Sequence, residues 1–192
     1  MSVTVEKCLQ AWTNSLRQMN AKADIVFFGD SLTYYGDFAS VFPNKVVCNL
    51  GLRGDTIQGL MDRLEQVQVL QPKQVFLMAG INDVANSSVE SFGEQYESLV
   101  IRFKKQLSDA SIVIQSMLPV NNREFSVSCN NKQIEIRNKK IAEIAKSLSF
   151  KYIDLYSIYI KDGVLANLDT IDGIHIKCES YYKWFQELRR VL

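Results

Sequence analysis

Apolar residues along this chain follow two alternating rhythms. Short runs, several of them apolar almost throughout, fall at Asp24 to Phe28, Lys45 to Cys48, Gln74 to Met78, Ser111 to Ser116 and Lys151 to Asp154. Between and after them lie longer stretches with apolar positions about every 3.6 residues: Thr56 to Gln68, Val89 to Leu107, Asn131 to Leu148 and Glu179 to Val191. The first rhythm predicts strands and the second amphipathic helices. The runs at 24–28 and 74–78 carry little polar alternation, as a sheet covered on both faces requires. An opening stretch from Val5 to Gln18 sets Cys8, Leu9, Trp12 and Leu16 at helical spacing, and its aromatic and aliphatic residues are read as core contacts. The alternation predicts an α/β fold, a doubly wound three-layer αβα sandwich around a parallel sheet. Residues 155–178 carry no predicted element, and a long irregular segment in a compact domain is usually functional.

No repeat, low-complexity tract or shift in composition marks a linker. The 192 residues are therefore expected to form one domain, with an N-terminal helix within residues 1–22 packed on it. A net charge of +1 with mixed signs gives no reason to expect nucleic acid as a partner. The basic clusters Arg102 to Lys105 and Arg137 to Lys140 fall within predicted helices and are expected to be solvated faces. Four scattered cysteines, Cys8, Cys48, Cys129 and Cys178, form no C-x-x-C pair, and a lone histidine cannot build a typical zinc set. Reduced thiols in a cytoplasmic protein are expected, with Cys48 buried in a strand and no metal or cofactor. The start, Met1 to Lys7, lacks the basic opening and apolar core of a leader, and no run nears the ~18 apolar residues of a membrane span. Oligomeric state is not legible; a dimer seam would be sought on exposed apolar residues of the N-terminal helix.

The one histidine, His175, lies three residues after Asp172, and Ser31 follows the Gly29-Asp30 that ends the first apolar run. A serine hydroxyl becomes a useful nucleophile only when a base takes its proton, and histidine is the usual base. A carboxylate in the same turn can hold the imidazole in its productive tautomer, so Ser31, His175 and Asp172 form a candidate triad. Each piece also has a plainer explanation. An Asp-x-x-His spacing arises often by chance, and Gly-Asp-Ser is a common helix start with Asp30 or Ser31 as cap. Cys178 is a weak rival nucleophile with no second base to serve it. Two further segments supply what acyl chemistry still lacks: Asn49 to Thr56 and Met78 to Asp83, each at the end of a predicted strand. Such ends converge on a crevice in a parallel sheet. The N–H groups of Ser31 and Gly54 and the side-chain amide of Asn82 are candidate donors to an oxyanion. Glycine at 54 would let the backbone approach a ligand closely.

These blocks resemble the SGNH hydrolases of the GDSL esterase and lipase superfamily. Phe28 to Thr33 matches the first block, Gly54 the second, Asn82 in Gly80-Ile81-Asn82-Asp83 the third, and Asp172 with His175 the last. The likeness runs from residue 24 to about 185 and includes Leu118-Pro119-Val120-Asn121 after the fourth run. Departures are few: Ile176-Lys177 where relatives often have Leu-Asn or Pro-Asn, and Ser180 where a glycine often stands. The resemblance implies a five-stranded parallel sheet of flavodoxin-like order 2-1-3-4-5 and a serine esterase or acylhydrolase working through an acyl-enzyme. Asp30 is expected to cap or brace its loop, and Asp55 and Asp83 to brace theirs. Short loops and no inserted lid predict a shallow site for small acyl groups such as acetyl; the resemblance implies carbohydrate or lipid-like alcohols, with a thioesterase as a variant. Tyr34, Tyr35 and Phe38 are candidates for an aromatic substrate wall. The other readings are a flavodoxin-like binding module, disfavoured because neither glycine loop has a nucleotide-binding pattern, and a catalytically silent adaptor of the same fold.

Overall fold

The computed structural model describes residues 3–191; Met1 and Ser2, where the expectation about a leader begins, lie outside them. In chain order the elements are α1 (Val3–Gln18), β1 (Ile25–Gly29), α2 (Ser31–Tyr34), β2 (Val47–Gly51), α3 (Ile57–Asp62), α4 (Glu65–Leu70), β3 (Gln74–Met78) and α5 (Val89–Gln106). They continue with β4 (Ser111–Gln115), α6 (Asn131–Ser147), β5 (Lys151–Ile153), α7 (Tyr156–Tyr159), β6 (Ile160–Lys161), β7 (Val164–Leu165) and α8 (Tyr181–Val191). Strands β1 to β5 form one parallel sheet in the order β2-β1-β3-β4-β5, as the family resemblance implies.

Side chains on a strand point alternately to opposite faces, which divides the core in two. Val26, Phe28, Val75, Leu77, Ile112 and Ile114 face one layer with residues of α3, α4, α5 and α6 and Leu16 of α1. Ile25, Phe27, Phe76, Met78 and Val113 face the other, where Leu32 of α2, Tyr159 of α7 and Trp184 and Leu188 of α8 complete it. Because both faces are covered, β1 is buried at every position. Strand β2, at the sheet's edge, is only partly covered, so Cys48 is half-buried rather than buried as expected.

Other expectations need correcting. The helix expected over Thr56 to Gln68 is two short helices that break at Arg63 and Leu64, where the buried Arg63 side chain turns inward to distant acceptors. Arg137 is buried too, donating to the carbonyls of Gln133 and Ser87, with its guanidinium 5.5 Å from the Phe92 ring centroid. On α1, Leu16 is buried, but Cys8 is exposed and Trp12 is 41% exposed, so the core contact of this helix is narrower than its apolar spacing suggests. Residues 155–178 hold α7 and the two-stranded β6–β7 hairpin. All four cysteines are free thiols. Among the described residues, no helix is long and apolar enough to cross a membrane.

Candidate active site

Strand β1 delivers Ser31 to the carboxyl edge of the sheet. Asp30 is the N-cap of the one-turn helix α2: its Oδ1 accepts from Leu32 N at 2.9 Å, and its carbonyl accepts from Tyr34 N at 2.9 Å. Such a cap satisfies a donor that a helix start otherwise leaves without a partner. Asn49 of β2 braces the far end of the turn, with Nδ2 donating to Thr33 O at 2.8 Å and Gly36 O at 3.0 Å. From α8, the Tyr181 hydroxyl donates to Leu32 O at 2.6 Å. β2 and α2 approach so closely that a Cβ on Gly51 would lie 2.1 Å from Tyr34 N, which reserves that position for glycine.

Asp172 and His175 come from a loop that braces itself. Thr170 and Ile176 form an antiparallel bridge, Lys177 N donates to Asp169 O at 2.8 Å, and Ile171 N donates to His175 O at 3.0 Å. Thr170 Oγ1 donates to His175 O at 2.9 Å and accepts from Gly173 N at 2.9 Å. Asn121, in the segment after β4, donates its N–H to Gly173 O at 2.7 Å, tying the loop to the sheet. Ser180, the departure noted in the sequence, uses a hydroxyl that glycine lacks to bond Asp169 Oδ1 at 2.8 Å, and Lys183 Nζ pairs with Asp169 Oδ2 at 2.6 Å.

Across the crevice, His175 Nε2 lies 2.9 Å from Ser31 Oγ, and Nδ1 lies 2.6 Å from Asp172 Oδ2. Asp172 Oδ1 accepts from the main-chain N–H of Ile174 at 3.0 Å and of His175 at 2.8 Å. Burial pushes the Asp172 carboxyl up, but the hydrogen bonds from His175 and Ile174 outweigh it and hold the pKa below the ordinary carboxylate value. Asp172 therefore stays ionised at neutral pH and orients a ring whose other nitrogen faces the serine hydroxyl.

The loops after β2 and β3 meet beside this group. Gly54 has φ +72°, so the left-handed turn itself favours glycine, while a Cβ there would meet nothing within 4 Å. Asn82 Nδ2 donates one proton to Asp55 O at 2.7 Å, which fixes the plane of the amide and the direction of its second N–H. Neither Ser31 N nor Gly54 N meets an acceptor among the described residues. Asp83 accepts from Ile57 N at 3.2 Å and so joins the two loops, and Thr56 Oγ1 caps α3 by accepting from Gly59 N at 3.1 Å.

Buried acids underlie these loops. Burial pushes Asp30 up to about 7 against the Leu32 N–H, with Asp55 and Asp83 adding to the rise and Arg63 opposing it. Burial likewise raises Asp83 to about 6 against the Ile57 N–H. Asp55 is raised by burial and pulled back by Arg63, whose Nε lies 2.7 Å from Asp55 Oδ2.

Of the proposed aromatic wall, Tyr34 and Tyr35 are 51% and 45% exposed, and Tyr35 meets the His175 ring edge-on at 5.6 Å between centroids. Phe38 does not belong to it. It is 1% exposed and stacked on Phe27 at 3.8 Å, against Trp184, in the core beneath. Sequence reasoning missed Arg63 and the brace roles of Asn49, Thr170 and Tyr181. Arg63 did leave a signal, since it falls on the apolar face marked by Leu60 and Val67, where a charge needs partners.

Residues 27–181 match the profile of the GDSL-like lipase/acylhydrolase family. No curated protein matches the chain significantly. Among solved structures, a Streptococcus pneumonia protein provisionally described as a platelet activating factor superposes with a TM-score of 0.82 at 21% identity, covering 100% of this chain and 99% of that one. A GDSL-like lipase from Bacteroides thetaiotaomicron gives 0.80 at 21% identity over 97% and 96%. A catalytic mutant of an acetylxylan esterase from Geobacillus stearothermophilus gives 0.70 at 17% identity over 88% and 94%. At these identities the likeness is one of fold.

Proposed function

This chain belongs to the GDSL-like lipase/acylhydrolase family, and from that premise we propose that it is a serine esterase that removes small acyl groups, acetyl above all. The observation that carries the reading is His175 spanning Asp172 and Ser31 at 2.6 Å and 2.9 Å. In the proposed cycle Ser31 Oγ attacks the ester carbonyl while His175 Nε2 takes the hydroxyl proton. The negative charge moves onto the carbonyl oxygen, which accepts from Ser31 N–H, Gly54 N–H and Asn82 Nδ2. As the C–O bond to the alcohol breaks, His175 returns the proton to the departing oxygen, leaving the acyl group on Ser31. Water then attacks this ester with His175 again as base, releasing the acid and restoring the serine. Asp172 stabilises the imidazolium at both steps.

A small acyl group suits the exposed position of Tyr34 and Tyr35 beside the triad. Aromatic faces of this kind pack well against sugar rings, and the acetylxylan esterase among the structural neighbours lends the same support to a carbohydrate alcohol. The test is hydrolysis of p-nitrophenyl acetate by the wild-type chain and by Ser31→Ala, with mass spectrometry after fluorophosphonate treatment. Turnover lost in the variant and a single adduct on Ser31 are expected. A folded wild-type chain giving neither turnover nor adduct would overturn the reading in favour of a binding or adaptor role. Across acetyl, hexanoyl and decanoyl esters, kcat/KM should fall with length; a preference for decanoyl would refute the small pocket.

A further inference from the structure

One buried guanidinium bonds both the strand that leads to Ser31 and the strand and loop that carry Gly54, and it reaches Asn82 through Asp55. Arg63 sits at the break between α3 and α4 with its side chain 3% exposed. Its Nε donates to Asp55 Oδ2 at 2.7 Å, Nη1 to Leu50 O at 2.8 Å and Nη2 to Gly29 O at 3.0 Å. Its flat face lies 4.2 Å from the Phe28 ring centroid. Gly29 ends β1 two residues before Ser31. Leu50 lies in β2 four residues before Gly54. Asp55 follows Gly54 directly, and its carbonyl holds Asn82 Nδ2 at 2.7 Å. One rigid fork is thus bonded to the carboxyl ends of two strands and to the residue that stands between two donors of the crevice.

We propose that Arg63, acting through Asp55, is a positioning residue that fixes the separation between the Ser31 nucleophile and the Gly54 and Asn82 donors. The proposal rests on the esterase reading above. An oxyanion is stabilised by donors already in place when the charge develops, and a displacement of about 1 Å costs on the order of 10²-fold in rate. The planar, permanently charged guanidinium matches three acceptors in fixed directions, whereas a lysine ammonium is a point charge that cannot reproduce the fork. Arg63 touches no reacting atom, so its loss should weaken the transition state far more than substrate binding.

Arg63→Lys and Asp55→Asn are compared with wild type on p-nitrophenyl acetate and on a boronic acid whose tetrahedral adduct on Ser31 mimics the intermediate. For a folded Arg63→Lys, kcat should fall about 10²-fold with KM within about threefold, and boronate affinity should fall in parallel. A folded Arg63→Lys with kcat and boronate affinity both near wild type overturns the proposal. Should Arg63→Lys fail to fold, Asp55→Asn, nearly the same in shape, decides on the same two readouts. Fluorophosphonate labelling of Ser31 in the wild type separates the two levels. With the adduct present, an unaffected variant refutes Arg63 alone; without it, the esterase reading and this proposal fall together.

Discussion

The two sides of the crevice are held by different physics. Ser31, Gly54 and Asn82 ride on the ends of β1, β2 and β3, over a buried layer in which Asp30, Asp55 and Arg63 are each at most 5% exposed. Asp172 and His175 ride on a loop where their side chains are 51% and 27% exposed, held mainly by short-range hydrogen bonds among residues 169–177. The first side is anchored by the sheet and a desolvated ion pair, so damage there should reach the whole fold. The second is held by local turn chemistry, and damage there should stay local.

The sharpest test of that contrast is His175→Ala. It should lower kcat on p-nitrophenyl acetate by about 10⁴-fold or more while leaving the melting temperature nearly unchanged. A fall in melting temperature of several degrees would show that the loop is coupled to the fold after all. Asp55→Ala should do the reverse in kind. It strands the Arg63 charge in the interior, so urea denaturation should reveal a loss of about 3–5 kcal/mol. A loss below about 1 kcal/mol would mean that the buried layer does not anchor that side.

The pH dependence separates the sides as well. Asp30 and Asp83 have raised folded values, about 7 and about 6, against 3.8 as the ordinary value. Their neutral forms favour the fold, so that contribution is complete below about pH 4 and is lost as pH rises through 6 and 7. The expected slope is up to about 1.4 kcal/mol per pH unit for each group, and Asp30→Asn should remove one of the two between pH 5 and 7. Asp172 is lowered, so its contribution is present above the ordinary carboxylate range and disappears only as pH falls through its depressed value. An unchanged slope in Asp30→Asn would place the titration elsewhere. The smallest expected effect is that of Thr170→Val, about 1 kcal/mol by denaturation, from the lost hydroxyl bonds to His175 O and Gly173 N.

The legibility of the sequence follows the same division. Strand β3 coincides with its apolar run because both of its edges are paired and both of its faces are packed. The apolar run predicts β2 at Lys45 to Cys48, but the strand spans Val47–Gly51, since an edge strand ends where pairing with β1 ends, not where apolarity does. Ser31, Asp172 and His175 could be named because turn residues and a lone histidine leave local marks, and the structure brings them within hydrogen-bond reach. Arg137 reads as solvated because it is a charged residue in a basic helical run, and Arg63 draws no expectation at all; the acceptors that bury both come from elsewhere in the chain. Phe38 lies in the core rather than on the wall because sequence proximity to Ser31 says nothing about which side of the following turn faces the core.

The chain has two tryptophans, and their placement makes the molecule report on itself optically. Trp184 is fully buried, donates Nε1–H to Gln115 Oε1 at 2.6 Å and stacks near Tyr181, whose hydroxyl holds the residue after Ser31. Trp12 stands on α1 with much of its indole in solvent. Acrylamide will reach the red-shifted emission of the second long before the blue-shifted emission of the first. Detachment of the N-terminal helix and loosening of the serine's side of the crevice therefore have separate colours. The loop that bears His175 has no indole of its own, and its motions stay dark.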